Sequence, residues 1–287
     1  MHLLIDSGAK LIKITTFANN PIKHDPNMQD RHFDNRQYFD ELVTTSNKYF
    51  YPYIEPFIAV HQGFKVLEIG CGEGGILLPF ARKGADVVGV DFDSKKINAA
   101  TEIFKEEGVK GLFIAQDIFK LKEMEHEFDL IVCHDVIEHI SDKDGFISKC
   151  ELLLKPGGMM FMSFPAWQMP FGGHQQMCKS RFLSHLPWFH LLPAFLYRGI
   201  LKLAKEDPFR IDDLMDIKHC KCPIEKFERV VKTKHFTILD RQLFFINPHY
   251  EAKFRLKPRK LWKPIGWIPY FRDFFTTSCF YILKLTD

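Results

Sequence analysis

The chain has 287 residues, 46% of them hydrophobic and 26% charged, which excludes a wholly disordered or collagen-like protein. Lysine and arginine number 39 against 36 aspartates and glutamates, and a formal charge of +3 is too small a balance for a dedicated nucleic-acid binder. Phenylalanine accounts for 29 residues, so the chain needs a large core, a greasy ligand pocket or a membrane face.

Residues 1–40 read as polar and irregular, with His24-Asp25-Pro26-Asn27 as a loop signal. The first six residues have neither the basic region nor the apolar length of a signal peptide. From 38 to 62, apolar and aromatic residues recur at mixed helical spacing, which predicts one or two helices broken near Pro52. A regular alternation follows: strand 65–69, glycine turn 70–75, helix 76–83, strand 86–90, helix 94–107, strand 111–115, strand 128–133, helix 146–154 and strand 159–164. Strands alternating with helices mean a parallel α/β sheet with crossover helices. After Phe164 the rhythm stops. Residues 165–222 are too long for a plain loop and follow the carboxyl end of a strand, so they read as an inserted cap. Pro223 opens a helix to about Lys232, and strands follow at 236–247 and 278–285. The expected architecture is a Rossmann-like α/β fold. Its sheet is mostly parallel and seven-stranded, with an antiparallel C-terminal edge strand and the cap after the fifth strand. The expected division is a helical segment over 1–62 and one domain over 63–287.

The seven cysteines are an odd number and scattered, which reads as reduced thiols in a cytoplasmic protein. His219-Cys220-Lys221-Cys222 has soft ligands but no second cluster at zinc spacing, so no zinc site is expected. The most apolar run, 186–197, is about a dozen residues broken by two prolines, too short to span a membrane.

Gly70-Cys71-Gly72-Glu73-Gly74-Gly75 lies between a strand and a helix, so backbone N–H groups and a helix N-terminus would face a ligand. The glycines fit both GxGxG and GxGxxG and do not choose between cofactors. The acids do more. Asp91 ends the second strand, where a carboxylate accepts hydrogen bonds from two ribose hydroxyls. Glu68, two residues before the first glycine, would face the pyrophosphate of a dinucleotide, whereas a cationic methionine moiety has no phosphate to repel.

Val66-Leu67-Glu68-Ile69-Gly70-Cys71-Gly72-Glu73-Gly74 resembles the first motif of class I S-adenosylmethionine-dependent methyltransferases. Val87-Val88-Gly89-Val90-Asp91-Phe92-Asp93 resembles the next, and Ala115-Gln116-Asp117-Ile118 the adenine-side motif. The run from Phe128 through Cys133, His134 and Asp135 to His139 resembles the fourth-strand motif, and Leu153-Leu154-Lys155-Pro156-Gly157-Gly158 the turn into the fifth strand. Five motifs in order are far more specific than one glycine loop. The pattern is most similar to the type-11 and ubiquinone-biosynthesis-like branch. The resemblance implies S-adenosyl-L-methionine as cofactor, leaving as S-adenosyl-L-homocysteine. It further implies that Glu68, Gly70, Cys71, Gly72 and Gly74 hold the methionine end. Asp91 would hold the ribose with Phe92 against the adenine. Asp117 and Ile118 would meet the adenine amino group and face, and Cys133 and His134 would line the far side through their backbone.

Methyl transfer needs water excluded and a nucleophile aligned, and a base helps if that nucleophile is a hydroxyl. His174, in Pro170-Phe171-Gly172-Gly173-His174, and His139 are the candidate catalytic residues; the two glycines are read as permitting close approach to a ligand. Asp135, Glu138 and His139 are spaced i, i+3, i+4, which predicts one helix face. They are similar to the acidic-x-x-Glu-His pattern of metal-assisted methyltransferases, with His174 needed as a further ligand. The first acid here is aspartate, and no metal is assigned. The expected acceptor is a small molecule methylated at a hydroxyl oxygen. Aromatics of the cap, among them Trp167, Phe171, Phe182, Trp188, Phe195 and Tyr197, read either as a lid over an aromatic or lipid-linked acceptor or as packing of the insertion. A segment over 186–204 reads as a candidate amphipathic helix on a membrane surface. A basic stretch, Lys253 to Lys263, interleaves Phe254 and Trp262, and reads as a solvated face or as a binder of RNA or anionic head groups. The rival functions are an RNA or protein methyltransferase, a dinucleotide-dependent oxidoreductase, and a non-catalytic cofactor-binding protein.

Overall fold

The computed structural model describes residues 35–286. The loop signal at His24 and the expected lack of a signal peptide lie outside them. Helix α1 (Asn35–Thr45) runs through a π-helical turn (Ser46–Phe50) into α2 (Tyr51–Ile54). Pro52 therefore does not break the helix. It sits in the first turn of α2, where its missing N–H costs little, and the wider π turn precedes it.

Strand β1 (Lys65–Ile69) leads through the glycine loop to α3 (Leu78–Arg82), β2 (Asp86–Asp91) and α4 (Ser94–Glu106). The start of α4 is capped by Asp93, whose side chain accepts from the N–H of Lys95, and Ile97, Ala100, Ile103 and Phe104 form its buried stripe. Next come β3 (Leu112–Ala115), β4 (Phe128–His134), α5 (Lys143–Leu153) and β5 (Leu154–Phe164). The segment after β5 contains α6 (Arg181–Ser184), α7 (Ala194–Leu203) and α8 (Pro208–Cys220). Buried Cys178, Leu183, Phe189, Tyr197, Leu201, Ile211 and Leu214 give this segment a small core of its own. The chain ends with α9 (Ile224–Lys232), β6 (Phe236–Ile246), α10 (His249–Phe254), β7 (Arg259–Lys260), α11 (Lys263–Gly266) and β8 (Ser278–Leu285).

The sheet has eight strands in the order β3-β2-β1-β4-β5-β8-β6-β7. Strands β1 to β5 are parallel, and β8 is antiparallel to both its neighbours, β5 and β6. The C-terminal strand is thus interior rather than an edge, and the two-residue β7 forms the edge instead. A strand interior to the sheet must be apolar on both faces, and β8 is, with Cys279 to Leu283 all buried. Leu67, Ile69, Ile131 and Cys133 point to one face, under α5 and α9. Val66, Leu130 and Val132 point to the other, under α1, α3 and α4. Strand order reverses at β1, so the crevice at the carboxyl ends of β1 and β4 is where such a sheet takes a ligand.

Candidate active site

The glycine loop is built for close approach. Gly70 has φ +73°, and a Cβ there would lie 2.4 Å from Val136 Cγ2, so only glycine lets the loop after β4 reach the end of β1. Gly72 has φ +51° and faces open space, with nothing nearer a Cβ than Lys96 Cδ at 4.0 Å. Gly74 instead packs on Phe104 and Phe113. The Cys71 thiol turns into the core, against the position of Gly89, so only its backbone faces the crevice.

Three carboxylates surround this loop. Asp91 accepts from the N–H of Gly72 at 3.0 Å through Oδ2 and from the N–H of Asp93 at 2.9 Å through Oδ1. A carboxylate has about four acceptor positions, so each oxygen keeps one for a ligand. Glu68 is 1% exposed and its Oε2 has no partner. Burial, then Asp91 and Glu73, push its pKa well above the usual carboxylate range. Buried Glu73 also leaves Oε2 unpartnered. Such a cluster is costly unless a cation settles among the carboxylates. The donor set therefore fits the cationic methionine end of S-adenosyl-L-methionine, and disfavours a pyrophosphate.

Phe92 is half exposed, leaving a ring face free at the crevice. Ile118 is buried in the core, and Asp117 caps a 3-10 turn by accepting from the N–H of Phe119. Cys133 is fully buried, its thiol in the core. His134 is also buried, its Nδ1 3.2 Å from Ser163 Oγ and its ring beside Phe50. Burial lowers its pKa to about 4.

Asp135, Glu138 and His139 do not share a helix face. Asp135 has φ +52°, and Ile137–His139 is a 3-10 turn. The turn closes the loop too tightly for the i, i+3, i+4 geometry. Glu138, His139 and His174 nevertheless converge, each offering a ligand atom within 4.8 Å of the others. The two imidazoles are edge to face with centroids 5.0 Å apart. Both carboxylate oxygens of Glu138 are buried without a hydrogen-bond partner, and burial with Asp135 nearby raises its pKa well above the usual range. Burial lowers His139 to about 3 and also lowers His174. Gly172 and Gly173 serve this arrangement differently from the sequence expectation. Cβ atoms there would meet the Trp167 carbonyl at 2.3 Å and His190 Cβ at 2.1 Å, so the close approach is to the protein's own chain, not to a ligand.

Sequence reading gave no site role to Tyr38 of α1 or to His249 and Tyr250 of α10, and placed Lys253 of α10 in a basic stretch rather than near the crevice. Tyr38 has its ring 6.4 Å from that of His249, and its pKa is raised by burial and by Asp135, Glu73 and Glu68. The His134 and His249 rings are 6.2 Å apart, and burial and Asp135 raise Tyr250 to about 12. These residues lie more than a hundred positions from the β4 motif or before the first strand. No motif marks them; only their aromatic and basic character hinted at a role.

A family model described as a methyltransferase domain matches residues 60–205. The chain belongs to that family. Curated relatives include ubiquinone biosynthesis O-methyltransferases of Chelativorans sp. (strain BNC1), 41% identical over 102 residues, and of Agrobacterium fabrum (strain C58 / ATCC 33970), 40% identical over 100 residues. These matches cover 36% and 35% of this chain, and 40% of each relative's length. In fold, the chain is similar to magnesium protoporphyrin IX methyltransferase from Synechocystis PCC 6803. The TM-score is 0.52 at 15% identity, over 91% of this chain and 97% of that one. It is also similar to geranyl diphosphate C-methyltransferase from Streptomyces coelicolor A3(2), with TM-score 0.53 at 12% identity, over 82% and 74%. At such identities the likeness is one of fold. Among the described residues no helix is long and apolar enough to cross a membrane, and all seven cysteines are free and buried.

Proposed function

We propose that the chain is an S-adenosyl-L-methionine-dependent methyltransferase that methylates a hydroxyl oxygen of a small molecule. The observation that carries this reading is the trio Glu68, Glu73 and Asp91 around an open glycine loop. When bound, the cofactor supplies a methyl group on an activated sulfonium. Glu68 and the loop N–H groups hold its methionine end, Asp91 its ribose, and Phe92 and Asp117 its adenine. The seat for the acceptor lies between this cradle and the pair His139 and His174. Desolvation keeps both imidazoles neutral but also weakens them as bases, so the one that takes the hydroxyl proton as the oxygen attacks needs the adjacent Glu138 carboxylate to hold the imidazolium that forms. Tyr38 and α10 close the crevice against water. The methyltransferase domain is residues 63–287, with 165–222 as its cap, and the helical segment before it lends Tyr38 to the crevice. A hydroxyl acceptor with aromatic or lipid-linked character is supported by the names of the curated relatives, which match over about a third of this chain.

Calorimetric titration with S-adenosyl-L-homocysteine tests the cradle. Micromolar binding is expected, with no binding of NADH. Asp91→Ala should weaken it by about 100-fold, the worth of two hydrogen bonds to a charged group. Absence of binding by folded protein sinks the reading.

The unpartnered carboxylate of Glu138 beside two neutral imidazoles favours a second reading of the same site. Glu138, His139 and His174 fit a divalent cation, which would polarise the acceptor oxygen in place of a general base. Under either reading His174→Ala lowers kcat by about 100-fold or more while leaving homocysteine-product binding intact. A chelator separates them: kcat survives it if the histidines act as bases, and falls and returns with Mg²⁺ or Mn²⁺ if the site holds a cation.

A further inference from the structure

The segment 252–272 carries seven lysines and arginines and no acid, while the whole chain nets only +3. Arg255, Lys257, Arg259, Lys260 and Lys263 are all exposed. Two adjoining cavities, of about 270 and 280 Å³, are both bordered by Lys48 and Tyr49; the first is also lined by Arg255, Lys257 and Glu251, the second by Pro258 and Lys260. Arg255, Lys257 and Lys260 therefore share one face with Lys48, which is itself paired with Glu251. Just beyond them comes an apolar band: Trp262 is 70% exposed, Trp267 73%, Ile268 50%, Tyr270 59% and Phe271 47%. Only Leu261 and Gly266 of the 261–271 stretch are buried, Leu261 anchoring it to the core beside β6.

We propose that the segment 254–271, at the β7 edge of the sheet, docks on anionic lipid bilayers. Cations predominate over 253–263, with Phe254, Leu256 and Trp262 among them, and the stretch 264–271 is apolar and without a cation, which suits head groups beside the first part and acyl chains beneath the second. Tryptophan and tyrosine are the side chains that settle at this boundary. Phe254 and Trp262 lie among the cations, as stacking rings would on a nucleic-acid surface, but the largely exposed stretch 264–271 has no cation to meet a phosphate, and its Ile268 and the prolines at 264 and 269 offer nothing to a base. A second copy of the chain is opposed by charge, since an isologous contact sets this cationic face against itself. The surface begins at the catalytic crevice. Helix α10, which leads into the segment, carries His249, whose ring lies 6.2 Å from that of His134 at the end of β4. A chain docked here presents its crevice close to the bilayer, where a lipid-phase acceptor would enter.

Co-sedimentation of the full chain with vesicles tests this without reference to catalysis. Vesicles of equimolar phosphatidylcholine and phosphatidylglycerol should bind, and pure phosphatidylcholine should not. Lys257→Glu with Lys260→Glu should lower the partition coefficient by about 25-fold or more, at about fivefold for each of the two cations lost. Trp262→Ala with Trp267→Ala should lower it comparably, and Phe195→Ser with Leu203→Ser, on the cap, should leave it unchanged. Each variant is checked for an unaltered melting temperature, and none touches the cofactor cradle. The proposal is overturned if the mixed vesicles fail to bind, if neutral vesicles bind as well, or if the cap variant is the one that loses binding. It is equally overturned if bulk RNA displaces the vesicles, or if the Trp pair instead changes the oligomeric state and leaves vesicle binding intact.

Discussion

Asp135 is a non-glycine residue in the left-handed region, at the base of the crevice and 42% exposed on its side chain. Desolvation in the crevice raises its pKa to about 6, against the pull of His249, His174 and Lys253. The sign follows from linkage. A carboxyl raised in the folded state contributes stability below its unfolded pKa, and that contribution is lost as pH rises through about 6. Asp135→Asn keeps the left-handed backbone, which asparagine tolerates, and removes the charge. The variant should match the parent near pH 4 and melt higher at pH 8. The gain is under about 1 kcal/mol because solvent screens part of the shift. Melting curves across this range check it; a variant less stable at pH 8 than at pH 4, relative to the parent, would refute the assignment.

Among the elements, the π turn before α2 has the widest reach. It sets Phe50, fully buried, against the rings of Phe161 and Phe280 with centroids 5.2 and 5.3 Å away, and against His134 at 4.9 Å. The helical start of the chain is thus pinned to the middle of the sheet and to the carboxyl end of β4. Phe50→Ala should cost about 3–5 kcal/mol in denaturant unfolding. A loss below 1 kcal/mol would mean that this helix does not share the core. The β-strands at 65–69 and 278–285 were legible to the residue, because apolar runs bounded by turn residues leave little choice. The 3-10 turn at Ile137–His139 was not, since the spacing of Asp135, Glu138 and His139 also satisfies an α-helix, and only the approach of Val136 to Gly70 decides otherwise.

For the whole molecule, the cradle draws on β1, β2 and β4, the central strands, with α1 and α10 packed beside it. Ligand bound there stabilises the cooperative unit rather than a local loop. S-adenosyl-L-homocysteine at 100 times its dissociation constant should stabilise the fold by about 2.7 kcal/mol, read as a rise in melting temperature of a few degrees. Asp91→Ala, binding about 100-fold more weakly, should cut the stabilisation at the same ligand concentration to about 0.4 kcal/mol. A shift that persists undiminished in Asp91→Ala would place the ligand elsewhere.

The sequence by itself determined the α/β alternation, the glycine loop and Asp91, because each depends on near neighbours, and the family, because five such local motifs follow one another in order from Val66 to Gly158. Local spacing carries that information: alternation sets a strand, a glycine sets a turn, and an acid at a strand end meets the loop beside it. Only the tertiary structure decided that β8 lies inside the sheet and that His174 meets Glu138 and His139. The same holds for Tyr38 and α10, which wall the crevice from opposite ends of the described chain. Those contacts join segments far apart in sequence. Their pairing is chosen by which apolar faces bury each other, and no local pattern records it.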